Sequence, residues 1–171
     1  MTDSLKTDLR RAAVGDCAGL YTLYGRMGKK EPGYFEKCLA EQEAGRREIL
    51  IARGGGIDIG YGMLNMRPQY ALYKRLEIPE IQDLNVVPEA RRRGVATVLI
   101  RALEDIARRE GRTQVGISVG LFADYGPAQR LYVKLGYVPD GYGVTYDRVA
   151  VSGGEIRPVD DDLCLMLVKD L

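Results

Sequence analysis

Between Pro88 and Gly111 the apolar residues Val95, Val98, Leu99, Ala102, Leu103 and Ile106 recur at three- and four-residue spacing, while Arg101, Glu104, Asp105 and Arg108 face away. A helix with one apolar stripe has to bury it, and the flanking runs supply the partner. Ile81 to Val87 reads as a strand that Pro88 stops. Gln114 to Val119 alternates small or polar residues with Val115, Ile117 and Val119, as a strand does. Strand, helix and strand in succession confine the chain to an α/β fold.

The remaining segments extend that pattern. Residues 8–27 read as a helix, with Leu9, Ala12, Ala13, Leu20, Leu23 and Tyr24 near one face. Pro32-Gly33 breaks it, and Tyr34 to Ala44 forms a second helix ending at Gly45. Glu48–Ala52 and Ile57–Leu64 are strands, joined through Gly54-Gly55-Gly56 as a hairpin. A polar, tyrosine-rich stretch runs from Pro68 to Glu77. Downstream, Pro127 opens a helix striped by Ala128, Leu131, Tyr132 and Leu135, with Gly136 just past its end. Gly141–Gly154 reads as a glycine-rich connector, and Leu163–Val168 as a final strand. The order α-α-β-β-β-α-β-α-β indicates a mixed α/β domain around one sheet. At 171 residues the chain suits one domain with one core.

Composition removes whole classes of chemistry. The chain has no histidine, which excludes a Ser-His-Asp triad, a Cys-His pair and any histidine-ligated zinc. Proton transfer must fall to carboxylates, tyrosine, cysteine, lysine or water. Cys17, Cys38 and Cys164 are odd in number and widely spaced, so neither a disulfide framework nor a structural metal site is expected. A net charge of +1 carries no footprint of a nucleic-acid or membrane-surface partner. No apolar run reaches transmembrane length, and the Met1-Thr2-Asp3-Ser4 start lacks a leader pattern. A cytoplasmic location follows by default.

Arg91-Arg92-Arg93-Gly94-Val95-Ala96 joins a strand to the best helix. A helix start carries unpaired N–H groups and partial positive charge, so three arginines there are unfavourable unless an anion covers the turn. Gly94 leaves room for that anion, and Ala96 keeps the next approach small. Solvated arginines beside a turn glycine are the plainer alternative. No Gly-x-x-x-x-Gly-Lys-Ser/Thr string exists, and Gly54–Gly60 opens a strand rather than a helix, so both familiar nucleotide motifs fail.

Val86-Val87-Pro88-Glu89-Ala90-Arg91-Arg92-Arg93-Gly94-Val95-Ala96 resembles the central signature of the GNAT superfamily of N-acetyltransferases, Val-x-Pro followed by Arg/Gln-x-x-Gly-x-Gly/Ala. Ala128-Gln129-Arg130-Leu131-Tyr132-Val133-Lys134-Leu135-Gly136-Tyr137 is similar to its second signature, Ala-x-x-x-Tyr-x-Lys-x-Gly-Phe. The two stand in the expected order, and the matching region runs from about Ile81 to Tyr137. The resemblance implies a single GNAT-like domain over residues 1–171, with a central, mostly antiparallel sheet flanked by helices and a splayed strand pair. It implies acetyl-CoA as cosubstrate and no metal. Backbone N–H groups of Arg91, Arg92, Arg93, Gly94, Val95, Ala96 and Thr97 would cradle the pyrophosphate. Leu84, Asn85 and Val86 would pair with the pantetheine arm and polarise the acyl carbonyl. Ala128 and Lys134 belong to the second signature. Tyr125 stands where many members have an asparagine that holds the pantetheine.

Tyr132 matches the family tyrosine that protonates the departing thiolate, a task suited to a phenol that keeps its proton at neutral pH. The plainer alternative is a member of the core stripe with its hydroxyl pointing outward, and the agreement of position and motif favours the functional role. Asp83 and Glu80 are the candidate bases for the amine, with Asp83 nearest the expected acyl position. Alternation puts Asp83 on a face with Asn85 and Glu80 with Leu84, unless a bulge interrupts the strand. The acceptor wall implied by the resemblance holds Tyr21, Tyr24, Tyr34, Phe35, Tyr70, Tyr73, Tyr142 and Tyr146, fit for a small-molecule or peptide amine, or simply for packing. Homodimers are common in the family. Two rivals stand beside the enzyme: a non-catalytic acyl-CoA sensor, and an interaction domain without cofactor.

Overall fold

In a computed structural model describing residues 5–171, the elements follow in chain order as β1 (Asp8–Arg11), α1 (Cys17–Gly25), α2 (Tyr34–Glu43), β2 (Arg47–Gly54), β3 (Ile57–Asn65), α3 (Ala71–Leu76), β4 (Glu80–Val86), α4 (Val95–Arg109), β5 (Gln114–Gly120), α5 (Gly126–Lys134), β6 (Val138–Tyr146), β7 (Val149–Ala150) and β8 (Leu163–Asp170). The fold is α/β with mostly antiparallel strands. Met1–Ser4, the segment inspected for a leader pattern, lies outside the described residues. Among those described, no helix is long and apolar enough to cross a membrane.

The chain divides into two compact units. One takes the residues up to Met66 together with Ile81–Ile106, and the other takes Arg67–Glu80 and Ala107–Leu171.

In the first unit β1, β2 and β3 pair antiparallel, and β4 lies beside β3. Glycines 60 and 62 on β3 set how closely its neighbours come. A Cβ on Gly60 would stand 2.7 Å from the Asn85 carbonyl oxygen, and one on Gly62 would stand 3.2 Å from Leu103 Cδ1. Bare backbone at these points lets β4 and α4 seat against β3. Val95, Leu99, Ile100, Leu103 and Ala107 are the buried face of α4. This face is rotated from the sequence expectation, since Val98 is 38% exposed and Glu104 is buried.

The first helix is shorter than expected. Asp8–Arg11 is a strand, not helix: it covers the edge of β2 with Leu9 opposite Ala52 and Arg10 opposite Ile51. Pairing with an open sheet edge outweighs a local helical preference. Asp16 then ends the strand by accepting from Arg10 Nη1 at 2.7 Å and from the Ala13 N–H at 2.7 Å. Gln42, buried on α2, ties the layers together. Its Nε2 donates to the Ala12 carbonyl and its Oε1 accepts from the Ile49 N–H, both at 2.8 Å.

The second unit orders its strands β5-β8-β6-β7, all antiparallel. Two of these depart from the expected connector: Val138–Tyr146, despite its glycines, and Val149–Ala150 are strands. Gly141 and Gly143 take φ of +88° and +81°, where the β6–β8 register shifts between Pro139 and Val144. The tyrosine-rich stretch contains α3; Tyr70, just before it, and Tyr73, within it, form a core cluster with Ile78 and Met166. Tyr73 is fully buried and donates to the Leu167 carbonyl, so it packs the core.

Candidate functional site

Past β4, Pro88–Ala90 makes one tight 3-10 turn. Arg91 folds back, its Nε donating to the Val86 carbonyl at 2.9 Å. Arg92 and Gly94 then adopt left-handed backbone, with φ of +60° and +86°. For a residue with a Cβ this conformation costs roughly 1–2 kcal/mol; for glycine it is nearly free. Helix α4 makes its first backbone bond from the Val98 N–H to the Gly94 carbonyl at 3.1 Å. The N–H groups before it at the helix mouth have no acceptor inside the helix. Residues 91–94 are exposed, while Val95 is buried and anchors the helix behind them. Left-handed residues alternating along an exposed turn, at the positive end of a 15-residue helix, fit a diphosphate. The turn residues expected to hold one, 91–97, are contiguous here, and Leu84, Asn85 and Val86 lie on the strand leading into them, all half-buried.

Asp83 interrupts that strand with φ of +52°, breaking the alternation in which it would share a face with Asn85. Its carboxylate collects four donors. Oδ2 accepts from the hydroxyls of Tyr34 and Tyr61, both at 2.9 Å. Oδ1 accepts from Lys30 Nζ at 2.8 Å and from Asn85 Nδ2 at 3.0 Å. Burial foremost, and then the Asp83 charge, pushes the Tyr34 and Tyr61 phenols far above their ordinary value. Both therefore remain donors at any physiological pH. The surrounding rings lock edge to face: Tyr21 on Phe35 at 4.8 Å, Tyr34 on Phe35 at 5.2 Å and Phe35 on Tyr61 at 5.6 Å between centroids.

The other candidate residues belong to the second unit. Tyr132 is 7% exposed, with its ring 6.1 Å from that of Tyr137. Burial raises its phenol to about 12. Tyr125 lies over Gly120, where a Cβ would meet its ring, and its hydroxyl donates to Asp161 Oδ1 at 2.9 Å. Ala128 is half-buried and Lys134 is exposed. Glu80 has no exposed surface and stands 3.7 Å from Arg148.

Sequence reasoning missed Lys30 and Tyr61. Lys30 sits in an irregular loop with no periodicity to orient it, and Tyr61 reads as one more strand aromatic. Only the positive charge closest before the Pro32-Gly33 break hinted at the first, and nothing marked the second.

Comparison with known proteins bears on these features together. The sequence profile described as the Acetyltransferase (GNAT) family matches residues 17–137. The chain belongs to that family. No curated protein matches it significantly in sequence. Among solved structures, it is similar to a ribosomal-protein-alanine N-acetyltransferase from Brucella melitensis, at 17% identity and TM-score 0.71 over 96% of this chain and 99% of that one. It is also similar to the PaiA N-acetyltransferase of Thermoplasma acidophilum in complex with coenzyme A, at 14% identity and TM-score 0.65 over 98% and 100%. A third likeness is to Naa50 of Arabidopsis thaliana bound to the bisubstrate analogue CoA-Ac-MVNAL, at 12% identity and TM-score 0.67 over 98% and 100%. At such identities the likeness is one of fold.

Proposed function

We propose that residues 1–171 form one acetyl-CoA-dependent N-acetyltransferase, which passes acetyl to the amine of a small molecule or peptide by direct attack in a ternary complex. The observation that carries this reading is the exposed turn at the mouth of α4, with its left-handed Arg92 and Gly94. Family membership supports acyl transfer, and the coenzyme A and bisubstrate complexes among proteins of similar fold support the cosubstrate and the amine acceptor.

Bound acetyl-CoA would supply a thioester whose carbonyl is the electrophile. Residues 92–97 would hold its diphosphate through backbone N–H groups, since the Arg91 N–H is spent on the Pro88 carbonyl at 3.3 Å. Backbone groups of Leu84, Asn85 and Val86 would orient the acyl arm and polarise its carbonyl. Ala128, Tyr125 and Lys134 are proposed along the coenzyme. The Tyr132 hydroxyl would keep a proton for the departing sulfur, since burial holds that proton well past neutrality. Asp83 would orient the amine and take its proton. Glu80 is the weaker candidate, being fully buried beside Arg148.

One observation favours a second reading, a non-catalytic acyl-CoA sensor: Asp83 already accepts four hydrogen bonds, so its oxygens are engaged by the protein's own donors. A panel of amines and short peptides, assayed for free thiol in the presence of acetyl-CoA, decides between them. Amine-dependent thiol release is the expected outcome. Coenzyme binding with no release from any acceptor would favour the sensor.

A further inference from the structure

The loop from α1 to α2 brings Lys30 over two aromatic rings. Its ammonium nitrogen lies 4.6 Å from the centre of the Tyr24 ring, 4.4 Å from that of Tyr34 and 2.8 Å from Asp83 Oδ1. A carboxylate oxygen and two π faces are what a protonated amine needs when it leaves water. The Lys30 and Asp83 side chains keep 19% and 11% of their surface exposed, so the cage is largely dry without being sealed from solvent.

We propose that Tyr24, Tyr34 and Asp83 form a binding site for an unbranched primary alkylammonium group, and that Lys30 is its internal occupant, displaced when a ligand enters. Calling that ligand the amine acceptor rests on the acetyltransferase reading. The site itself does not.

The cage would survive the departure of Lys30. Asp83 stays fixed by the Tyr34 and Tyr61 hydroxyls and by Asn85 Nδ2, leaving one oxygen position facing the cation. None of these three donors carries charge, so the carboxylate calls for a cation that they cannot supply. That cation comes from an irregular loop rather than a packed element. Gly28 lets the loop pass over Tyr24, where a Cβ would come within 3.3 Å of Cε1, and Gly33, at φ +85°, lets it turn into α2. The Lys30 stem is an alkyl chain ending in a primary ammonium, and it displays the ligand chemistry the cage accepts. Displacing it also frees a lone pair on Asp83 Oδ1 for the incoming N–H.

The wild-type chain, labelled with 13C at lysine Cε, tests this by NMR without acetyl-CoA. Protons above two ring faces are shifted upfield, so the Lys30 ε signal should stand apart from that of exposed Lys29. Titration with n-butylammonium chloride should return it, saturably, to the position of the exposed lysines. Sodium chloride and n-butanol at equal concentration should not. A Lys30 signal unmoved at saturating n-butylammonium overturns the proposal. 1,4-Diaminobutane and Nα-acetyl-lysine amide distinguish a polyamine from a peptide side chain as the carrier, and displacement by either supports the site. By calorimetry, Lys30→Met should bind n-butylammonium about tenfold tighter than wild type, because the competitor is gone. Adding Asp83→Asn should abolish that gain. Equal affinity in a folded Lys30→Met protein counts against the cage, and if that variant does not fold the wild-type titration decides alone. A chain that binds n-butylammonium but releases no thiol would sink the enzyme and leave this site standing. Thiol release with Lys30 unmoved would sink the cage alone.

Discussion

Arg91 Nε donates to the carbonyl oxygen of Val86 across the end of β4 at 2.9 Å. The first arginine of the turn is thereby committed to shaping the loop, leaving Arg92 and Arg93 to meet an anion. A hydrogen bond from a charged donor is worth about 1.5–3 kcal/mol, so Arg91→Ala should raise the dissociation constant for acetyl-CoA by roughly tenfold or more. Arg91→Lys keeps the charge without the Nε geometry and should not rescue it. Calorimetric affinities check both variants, and wild-type binding by Arg91→Lys would mean that charge alone matters.

Gly94 takes φ of +86° at the head of α4. Gly94→Ala should cost about 1–2 kcal/mol of stability from the left-handed backbone, lowering Tm by roughly 2–8 °C. Gly94→Glu adds a carboxylate against the helix mouth and should weaken acetyl-CoA binding far more than Gly94→Ala does. If the two variants bind acetyl-CoA equally well, the diphosphate lies elsewhere.

Replacing Tyr132 by Phe keeps the buried ring and removes the hydroxyl. Turnover should fall by roughly 10²–10⁴, with the KM for acetyl-CoA nearly unchanged. Because burial lifts the phenol from 10 to about 12, its proton is retained well above neutral pH. Wild-type kcat should therefore show no alkaline fall traceable to Tyr132 below about pH 11. The same shift sets a stability window. The unfolded phenol ionises first, so the contribution of this group is complete below pH 10 and is lost as pH rises towards 12. A pH–rate profile beside a pH series of urea melts reads both effects.

Gln42 satisfies the Ala12 carbonyl and the Ile49 N–H at once, from inside the first unit. Gln42→Leu fills the space and leaves both backbone groups without a partner, which should cost about 2–4 kcal/mol in urea denaturation. A loss under 1 kcal/mol would show that water or a shifted strand replaces the amide.

Legibility in the sequence followed how local the signal was. The helix after Pro88 and the strand at Gln114–Val119 could be read because stripe and alternation are set by near neighbours. Asp8–Arg11 could not, because its strand state depends on β2 some forty residues away. Val138–Tyr146 was hidden for a related reason. Its glycines look like a connector until pairing with β8 holds them as a bulged strand. The Arg91–Thr97 turn was visible as a charge pattern at odds with the helix dipole. The Lys30–Asp83 pair spans 53 positions, with α2, β2, β3 and α3 between, and no spacing rule reaches that far.

Acetyl-CoA binding to the purified wild-type chain, followed by thermal denaturation, tests the central claim most directly. Ligand at one hundred times its dissociation constant should add about 2.7 kcal/mol of stability and raise Tm by several degrees, and Gly94→Glu should lose most of that gain. A wild-type Tm that stays constant up to millimolar acetyl-CoA would contradict the account.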